Sequence, residues 1–198
     1  MGIVITDADF MTVKNLTNEV GWPLDYTASK GLLPYIKRLR GDISVIEIGT
    51  ARAEAAYLIL EQCPNVTQLY TIDPFKCYKD WIGFIDQDTM SRYKDIASEN
   101  LEIFKDRATI LEMTSEQAVD LFEDKAYNVL FVDGSHDKDM VYRDLELYFP
   151  KIVSGGIVAI HDTNISTVND AIREFRETYK IRQPLNTISN GVVFWVKH

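Results

Sequence analysis

The sequence predicts an α/β fold in which helices cover both faces of a mostly parallel, seven-stranded sheet that ends in an antiparallel hairpin. Three observations lead to this prediction. Short apolar runs rich in β-branched residues alternate with segments of helical periodicity along most of the 198 residues. The run 128–132 is almost wholly apolar, as expected for a central parallel strand buried on both faces. Two final apolar runs flank Ser189-Asn190-Gly191, which is a strong hairpin-turn signal.

The N-terminal segment 1–41 is predicted to be helical, and residues 42–198 are predicted to form the sheet and its covering helices. Apolar residues at helical spacing indicate a first helix over 7–18. Thr27 can cap a second helix that runs to about Arg40. The length suits one domain, and we find no internal repeat or linker that would divide the chain.

The first βαβ unit contains the most informative turn of the chain. Its strand 44–48 ends at Gly49, which allows a tight turn, and a helix over 53–62 follows. The N-terminus of such a helix directs N–H groups at any ligand over the turn. The next strand, 68–72, ends in Asp73, about 25 residues beyond the glycine, where doubly wound folds place the carboxylate that binds a ribose. The unit predicts a nucleotide-type site, with a plain connection and a turn-forming aspartate as the alternative.

The remaining elements follow from the same patterns. In chain order, the sequence predicts helices over 91–104, 115–122, 137–149 and 168–179, and strands over 108–112, 157–160, 185–188 and 192–196. Ser115 is the predicted N-cap of the second of these helices. The segment 75–90 is aromatic and has little periodicity, so we expect it either to pack on the body or to form a lid over a ligand.

Charge and composition narrow the range of partners. The net charge of −9 and the pI near 4.8 argue against a broad phosphate-binding surface and hence against nucleic acid. No apolar run reaches the length of a membrane span, and the first residues lack the basic region of a secretory signal. Cys63 and Cys77 fit free thiols in a reducing compartment. We therefore expect a cytoplasmic protein without nucleic-acid or membrane partners, and a homo-oligomer is one of the open alternatives.

Acidic and histidine side chains follow the predicted parallel strands, at the edge where open α/β sheets bind ligands. These residues are Glu47, Asp73, Glu112, Asp133 with His136, and His161 with Asp162. Burying several acidic side chains at one edge is costly unless they bind a partner or a ligand, so the pattern indicates a ligand-binding site.

Asp133 and Asp162 end neighbouring predicted strands, so their carboxylates could converge on one hard cation. Mg²⁺ prefers oxygen ligands, and Thr163 or Asn164 could supply a further oxygen. The alternative is that both aspartates only form turns. A transition metal bound through the histidines is a weaker interpretation, because two histidines without fixed spacing do not define a ligand set.

His136 lies three residues past Asp133, within reach of the same cleft. An unperturbed histidine pKa of about 6.5 suits a general base near neutral pH. A solvated loop histidine is the ordinary alternative.

Four stretches together resemble the motifs of class I S-adenosylmethionine-dependent methyltransferases, whose core is Rossmann-like. These stretches are 45–50 (VIEIGT), 70–75 (YTIDPF), 131–136 (FVDGSH) and 155–162 (GGIVAIHD). The order of the motifs and the closing hairpin extend the resemblance over nearly the whole chain. It is closest to small O-methyltransferases of the catechol and macrocin O-methyltransferase type and to proteins like the cephalosporin-biosynthesis methyltransferases.

The resemblance implies roles for individual residues. Those implied to bind the cofactor S-adenosylmethionine are Glu47, Gly49, Thr50 and Ala51 at its methionine part, Asp73 at the ribose, Ser115 beside the adenine, and Asp133. Those implied to bind a metal such as Mg²⁺ are Asp133, Asp162 and Thr163. His136 matches the basic residue that takes the proton of the substrate hydroxyl.

The chain departs from the family pattern at the glycine-rich turn, where only the first glycine, Gly49, remains. Ala51 and Ala53 add one methyl group each, which we expect to be tolerated only where φ is negative and the cofactor is not in contact.

The implied reaction is O-methylation of a hydroxyl on a small molecule or sugar, and a vicinal diol or catechol would suit a metal with two open positions. Tyr78, Trp81 and Phe84 could shape the acceptor pocket or could belong to the core. Two alternatives remain: an NAD(P)-binding Rossmann oxidoreductase, and a catalytically inactive cofactor-binding subunit.

Overall fold

The central feature of the fold is a seven-stranded sheet, seen in a computed structural model that describes residues 27–79, 83–188 and 191–198. The strands are β1 (Ile43–Ile48), β2 (Val66–Ile72), β3 (Tyr78–Lys79), β4 (Phe84–Ile85), β5 (Ala108–Leu111), β6 (Tyr127–Val132), β7 (Ile152–Ile160), β8 (Asn186–Ile188) and β9 (Val192–Val196). Strands β3 and β4 form a separate antiparallel pair. The predicted helix over 7–18, Trp81, and the turn residues Ser189 and Asn190 lie outside the described residues.

Six α-helices connect or flank the strands of the described part of the chain. They are α1 (Thr27–Ile36), α2 (Glu54–Gln62), α3 (Gln87–Leu101), α4 (Ser115–Ala118), α5 (Lys138–Tyr148) and α6 (Ser166–Thr178). Short 3₁₀ turns follow α3, α4 and α5. No helix among the described residues combines the length and the apolar character that crossing a bilayer requires.

The strand order is β5-β2-β1-β6-β7-β9-β8. The first five strands in this order are parallel, whereas β9 runs antiparallel to both β7 and β8. This confirms the predicted Rossmann-like fold with its antiparallel C-terminal hairpin. The chain moves outward from β1 to β5 and then returns to β6 on the other side of β1. Because the order reverses there, the crevice beyond the ends of β1 and β6 is the expected ligand position.

The sheet is buried on both faces because apolar residues alternate between two helical layers. Val45, Val129 and Phe131 pack in a cluster with residues of α1, α2 and α3. Ile46 and Leu130 pack in a second cluster with residues of α5 and α6. All five of these side chains are completely inaccessible to solvent, so β1 and β6 are central strands as predicted.

Strand β7 is longer than the predicted strand over 157–160. Its pairing with β6 shifts register, because Tyr127 faces Ile152 whereas Val129 faces Ile157. The shift includes Gly155, whose φ of +84° is easily adopted only by glycine. Residues 154–156, which precede the predicted strand, therefore form an irregular part of the observed strand.

Several helix boundaries differ from the predicted ones for local reasons. Helix α3 begins at Gln87 rather than at residue 91, since the Asp86 side chain accepts a hydrogen bond from the Thr89 N–H and caps the helix. This helix therefore takes up the end of the predicted lid segment. Helix α1 ends at Ile36, before the predicted end near Arg40.

The prediction that Ser115 caps its helix is wrong. Thr114 is the N-cap: its hydroxyl accepts from the Gln117 N–H, and the Gln117 side chain accepts from the Thr114 N–H. Such a reciprocal arrangement satisfies two helix donors at once. Ser115 is the first helical residue, so its side chain is available for other contacts.

Candidate active site

The turn after β1 lies against the end of β6. Gly49 has φ of +96°, and a Cβ atom on it would lie 2.1 Å from the Asp133 carbonyl oxygen. The Asp133 N–H donates to the Ile48 carbonyl at 2.8 Å, which fixes this approach. Only glycine fits, so the retained glycine of the turn is required by both backbone conformation and space.

Ala51 and Ala53 both adopt left-handed backbone conformations, with φ of +43° and +63°. The expectation that these alanines require negative φ is therefore wrong. An L-residue in this region costs about 1–2 kcal/mol, and such residues persist where the surroundings fix them. Here the Ala53 N–H donates to the Thr50 carbonyl at 2.6 Å, and the Ala51 N–H is held by Asp73.

Asp73, the predicted ribose ligand, shapes the turn itself. Its Oδ2 accepts from the N–H groups of Thr50 at 3.1 Å and Ala51 at 3.0 Å, and its Oδ1 accepts from that of Phe75 at 2.8 Å. Burial raises the pKa of this carboxyl, and the three N–H donors oppose that rise. Because a carboxylate accepts roughly four hydrogen bonds, these three contacts leave capacity on Oδ1 for a ribose hydroxyl.

Glu47 lies beneath the turn rather than in the open crevice, since the residue is only 1% exposed. The Thr71 hydroxyl donates to its Oε2 at 2.5 Å, and the hydroxyls of Thr71 and Thr50 are 2.7 Å apart. Burial raises the pKa of Glu47 to about 8. Glu47 is thus connected to the turn through the two threonine hydroxyls, and its contact with the cofactor stays a prediction.

Ser115, the residue implied to lie beside the adenine, is bound to a buried carboxylate. Its hydroxyl donates to Asp144 Oδ1 at 2.5 Å, and the Tyr148 hydroxyl donates to its carbonyl at 2.7 Å. Burial raises the pKa of Asp144 to about 6. Sequence reasoning missed Asp144, although an aspartate within the apolar face formed by Val141 and Leu145 was a usable signal.

Four side chains from the ends of β6 and β7 meet beside the turn. The Nδ1 atom of His161 lies 2.7 Å from Asp133 Oδ1 and 3.3 Å from Asp162 Oδ2. The Nε2 atom of His136 lies 2.8 Å from Asp162 Oδ2. Burial raises the pKa of Asp133, while the hydrogen bond from His161 opposes that rise. The structure thus brings together the predicted base and the two predicted metal-binding acids.

Thr163, the third predicted metal ligand, is directed elsewhere. Both its N–H and its hydroxyl donate to the Gly191 carbonyl, each at 2.9 Å. Among the described residues, the group whose donor atoms could surround one cation is instead Asp133, His161 and Asp162. These donors fit a divalent cation, but one of them is a nitrogen, unlike the oxygen-only set predicted for Mg²⁺.

Part of the predicted lid segment reaches the candidate base. Strand β3 places the Tyr78 hydroxyl 3.5 Å from the Nδ1 atom of His136. Phe84, on the paired strand β4, is 65% exposed and is not a core residue. The sequence left open whether these aromatic residues line the site or belong to the core. In the structure, Tyr78 borders the site, whereas Phe84 faces solvent.

Comparison with known proteins agrees with this architecture. Residues 46–163 match the family model described as a methyltransferase domain, which is more than half of the chain. The uncharacterized protein y4gI of Sinorhizobium fredii is 32% identical over 160 residues, which is 77% of this chain. The chain spans only 17% of the length of that relative.

Solved structures share the fold at low sequence identity. A protein of Corynebacterium glutamicum superposes with a TM-score of 0.71 at 16% identity, covering 98% of this chain and 92% of the other. The O-methyltransferase NovP gives 0.63 at 19% identity, covering 87% and 77%. The O-methyltransferase TomG of Streptomyces achromogenes, solved in complex with S-adenosylmethionine, gives 0.61 at 13% identity, covering 98% and 97%. The family match agrees with the fold: the chain belongs to the methyltransferase domain family.

Proposed function

We propose that the protein transfers a methyl group from S-adenosylmethionine to a hydroxyl oxygen of a small molecule or sugar. The observation that carries this proposal is the pairing of His136 with Asp162 at the ligand edge of the sheet, 2.8 Å apart. A base held by a carboxylate is the arrangement needed to remove a hydroxyl proton. The O-methyltransferase activities named for NovP and TomG are in keeping with this choice of acceptor atom.

The cofactor would lie across the turn after β1. The backbone of Gly49 and Ala51 would contact its methionine part, and Asp73 would accept from a ribose hydroxyl. Ser115 would border the adenine, and Asp133, whose carbonyl lies against Gly49, would lie near the methionine part, while Thr50 and the buried Glu47 would support the turn from below. When bound, S-adenosylmethionine supplies a methyl group already activated by its positively charged sulfur.

His136 acts as the general base in this proposal. If its Nε2–H donates to the Asp162 carboxylate, the imidazole is fixed in one tautomer, and Nδ1 is left as the proton acceptor. The substrate hydroxyl would donate to Nδ1 from the side where Tyr78 now lies. The hydroxyl proton would move to Nδ1 of His136 as the hydroxyl oxygen takes the methyl group that the cofactor would supply, and the cofactor sulfur would be left as a neutral thioether. Alignment of these groups is the main task of the protein.

A divalent metal would be held by Asp133 and Asp162 and would lower the pKa of a substrate hydroxyl. No step above requires it. Mg²⁺ was the metal predicted from the sequence, and the presence of His161 in the donor group gives reason to test other cations.

Binding of S-adenosylhomocysteine, measured by calorimetry, is the first experiment. Absence of binding at millimolar ligand would refute the proposed cofactor site. Labelled S-adenosylmethionine and a panel of catechols, vicinal diols and sugars would then identify the acceptor. Binding without turnover on any acceptor would instead favour the inactive cofactor-binding subunit, and hydride transfer from a nicotinamide cofactor would favour the oxidoreductase.

The role of His136 is tested by H136A with H198A as the matched control, since His198 is exposed and lies beyond strand β9, outside the site. We expect H136A to lower kcat by about 10²- to 10⁴-fold and to remove the acid limb of the pH profile. H198A should behave as the unmodified protein. Full turnover with an unchanged acid limb in H136A would contradict the assignment.

A further inference from the structure

A groove lies between the second half of helix α6 and the segment that leads from this helix into β8. Its volume is about 320 Å³, and Arg173, Arg176 and Leu185 are among the residues that line it. Helix α6 begins at Ser166, next to the candidate active site, where the Thr167 hydroxyl donates to the His136 carbonyl. Arg176 is ten residues beyond Ser166, which corresponds to about 15 Å along a helix. The groove is therefore separate from the candidate active site.

Hydrogen bonds at the end of α6 fix the shape of this groove. Lys180 has φ of +52°, and the Ile181 N–H donates to the Arg176 carbonyl at 2.8 Å. A bond of this kind across a left-handed residue is a common way to end a helix, and it turns the following segment back over the helix. The Arg176 side chain holds that segment as well, because its Nη2 donates to the Gln183 carbonyl at 2.6 Å. The groove is thus formed without a ligand.

The groove carries positive charge, although the chain as a whole has a net charge of −9. Arg173, Arg176 and Arg182 line it, together with one acid, Glu177. Arg173 forms an ion pair with Asp170 at 2.9 Å. Within the described parts of the chain, neither Arg176 nor Arg182 pairs with a carboxylate, and Arg176 donates to a backbone carbonyl instead. Two of the three guanidinium groups are thus left for an external anion.

Arg176 also has a donor that lacks an acceptor. Its Nη1 atom is shielded from solvent, and no acceptor for it exists among the residues that the structure describes. Partial burial lowers the pKa of this guanidinium, but arginine stays charged in proteins. The guanidinium lies 5.1 Å from the ring centre of Trp195, and the buried Nε1–H of this ring has no acceptor in the described chain either. Because buried donors are costly to leave unpaired, a small shift of Arg176 toward an anion in the groove would be favourable.

Apolar side chains line the rest of the groove. Ile172 and Ile181 are largely buried, whereas Leu185 is 44% exposed beside the arginines. A ligand with a hydrocarbon part would cover this exposed side chain and gain from its burial. A cavity of about 150 Å³ is large enough for benzene. The groove therefore has room for a ring or a short chain together with a charged group.

We propose that the groove between α6 and β8 binds a small amphiphilic anion, in which a carboxylate or phosphate group is joined to a short hydrocarbon part. Arg176 and Arg182 bind the anionic group, since a guanidinium offers paired N–H donors that match its oxygens. Leu185 and Ile181 cover the hydrocarbon part.

This site uses no residue of the proposed methyl transfer, so the two proposals stand or fall separately. Anion binding is measured without cofactor or acceptor. A protein that transfers methyl groups and binds no anion in the groove would refute this site alone.

The experiment is a calorimetric titration of the full chain with four probes, in about 0.15 M salt to screen general attraction between exposed charges. Phenyl phosphate and benzoate carry the two anionic groups on the same ring. Inorganic phosphate lacks the ring, and benzamide lacks the charge. We expect phenyl phosphate or benzoate to bind more tightly than inorganic phosphate and benzamide, and the tighter of the two identifies the anionic group.

Variants then locate the bound anion. R176Q and R182Q should each weaken binding about tenfold or more, because each removes hydrogen bonds to a charged group. K180Q is the matched control: it makes the same change in charge within the same segment, but Lys180 does not line the groove. It should bind as the unmodified protein does. L185S should weaken binding of phenyl phosphate several-fold and leave that of inorganic phosphate unchanged.

Failure to bind phenyl phosphate and benzoate at millimolar concentrations would overturn the proposal. Equal affinity in R182Q and the unmodified protein would do so too, since the anion would then bind elsewhere. A loss in K180Q as large as that in R182Q would show only general attraction to positive charge. Should R176Q not fold because its bond to the Gln183 carbonyl is lost, R182Q decides the outcome, since the Arg182 side chain is exposed.

Discussion

Replacing Ala51 with glycine should stabilise the protein, because the residue is exposed and adopts a left-handed backbone conformation with φ of +43°. Relief of that conformation contributes about 1–2 kcal/mol. Glycine gives the unfolded chain more freedom, which costs about 0.4–1 kcal/mol. The exposed methyl group adds little packing energy. We therefore expect A51G to raise the free energy of unfolding by about 0.5–1 kcal/mol.

Two other alanines of the same region provide internal controls. Ala53 shares the left-handed conformation, with φ of +63°, but it is fully buried. Loss of its methyl group costs about 0.8 kcal/mol, so A53G should change stability by about zero. Ala55 lies within helix α2, where glycine is unfavourable by roughly 0.5–1 kcal/mol. The expected order of stability is A51G, then A53G, then A55G.

The assay is urea unfolding at constant pH, since a change in midpoint at constant slope reports stability alone. For a chain of this size, each kcal/mol should also move the Tm by about 2–4 °C. Destabilisation by A51G equal to that of A55G would show that residue 51 does not adopt a left-handed conformation in solution.

Three further changes test other parts of the site. G49A should lower the free energy of unfolding by about 3 kcal/mol or more, because the new Cβ would lie 2.1 Å from a carbonyl oxygen. Thermal unfolding measures this loss, and unchanged stability would contradict the close approach of the strands. The pKa of Asp144 is raised from 3.8 to about 6, so its folded state keeps a proton that the unfolded chain has released. The contribution of Asp144 to the free energy of unfolding is therefore complete below about pH 4. It is lost as the pH rises through about 6, and the loss amounts to at most about 3 kcal/mol. D144N should remove this loss when urea unfolding is compared at pH 4 and pH 7, and equal pH dependence in both proteins would refute it. D73N should weaken S-adenosylhomocysteine binding in calorimetry at least tenfold and lower stability by about 1–3 kcal/mol, since an NH₂ group that cannot accept replaces one of the two oxygens that accept from backbone N–H groups. Normal binding and stability would exclude Asp73 from both roles.

The general architecture could be predicted from sequence because its determinants are local. The β-branched runs of β1 and β6, and the Asn-Gly turn signal before β9, define strands within a few residues. The acid after β2 was also predictable, because each parallel strand delivers its next residue to the same edge.

The turn conformation could not be predicted, because it depends on a residue distant in sequence. Alanine by itself favours negative φ, and the left-handed values at Ala51 and Ala53 arise where Asp73 binds the turn from the end of the next strand. The N-cap of helix α4 was wrongly predicted for a different reason. Thr114 and Ser115 are both suitable caps, and only Gln117 distinguishes them, since it lies three residues after the threonine.

A metal bound through His161 was only the weaker interpretation of the sequence, because no spacing rule relates this histidine to Asp133. Its proximity to Asp133 depends on the register of β6 with β7, and that register contains a bulge at Gly155. A prediction that aligned the ends of the two strands would have placed His161 opposite Asp133, because Val132 pairs with Ile160.

The observed contacts of Asp73 with the turn, together with its proposed contact with the cofactor ribose, limit how the protein can be redesigned or can diverge. In many nucleotide sites the acid at the end of the second strand can be exchanged to change ligand preference while the scaffold is kept. Here the same carboxylate holds the backbone of Thr50 and Ala51. Any exchange that alters ligand preference also releases the turn, so a new specificity would require a compensating change such as glycine at position 51. In this chain, a substitution of Asp73 that changes cofactor preference is therefore expected to change the stability of the fold as well.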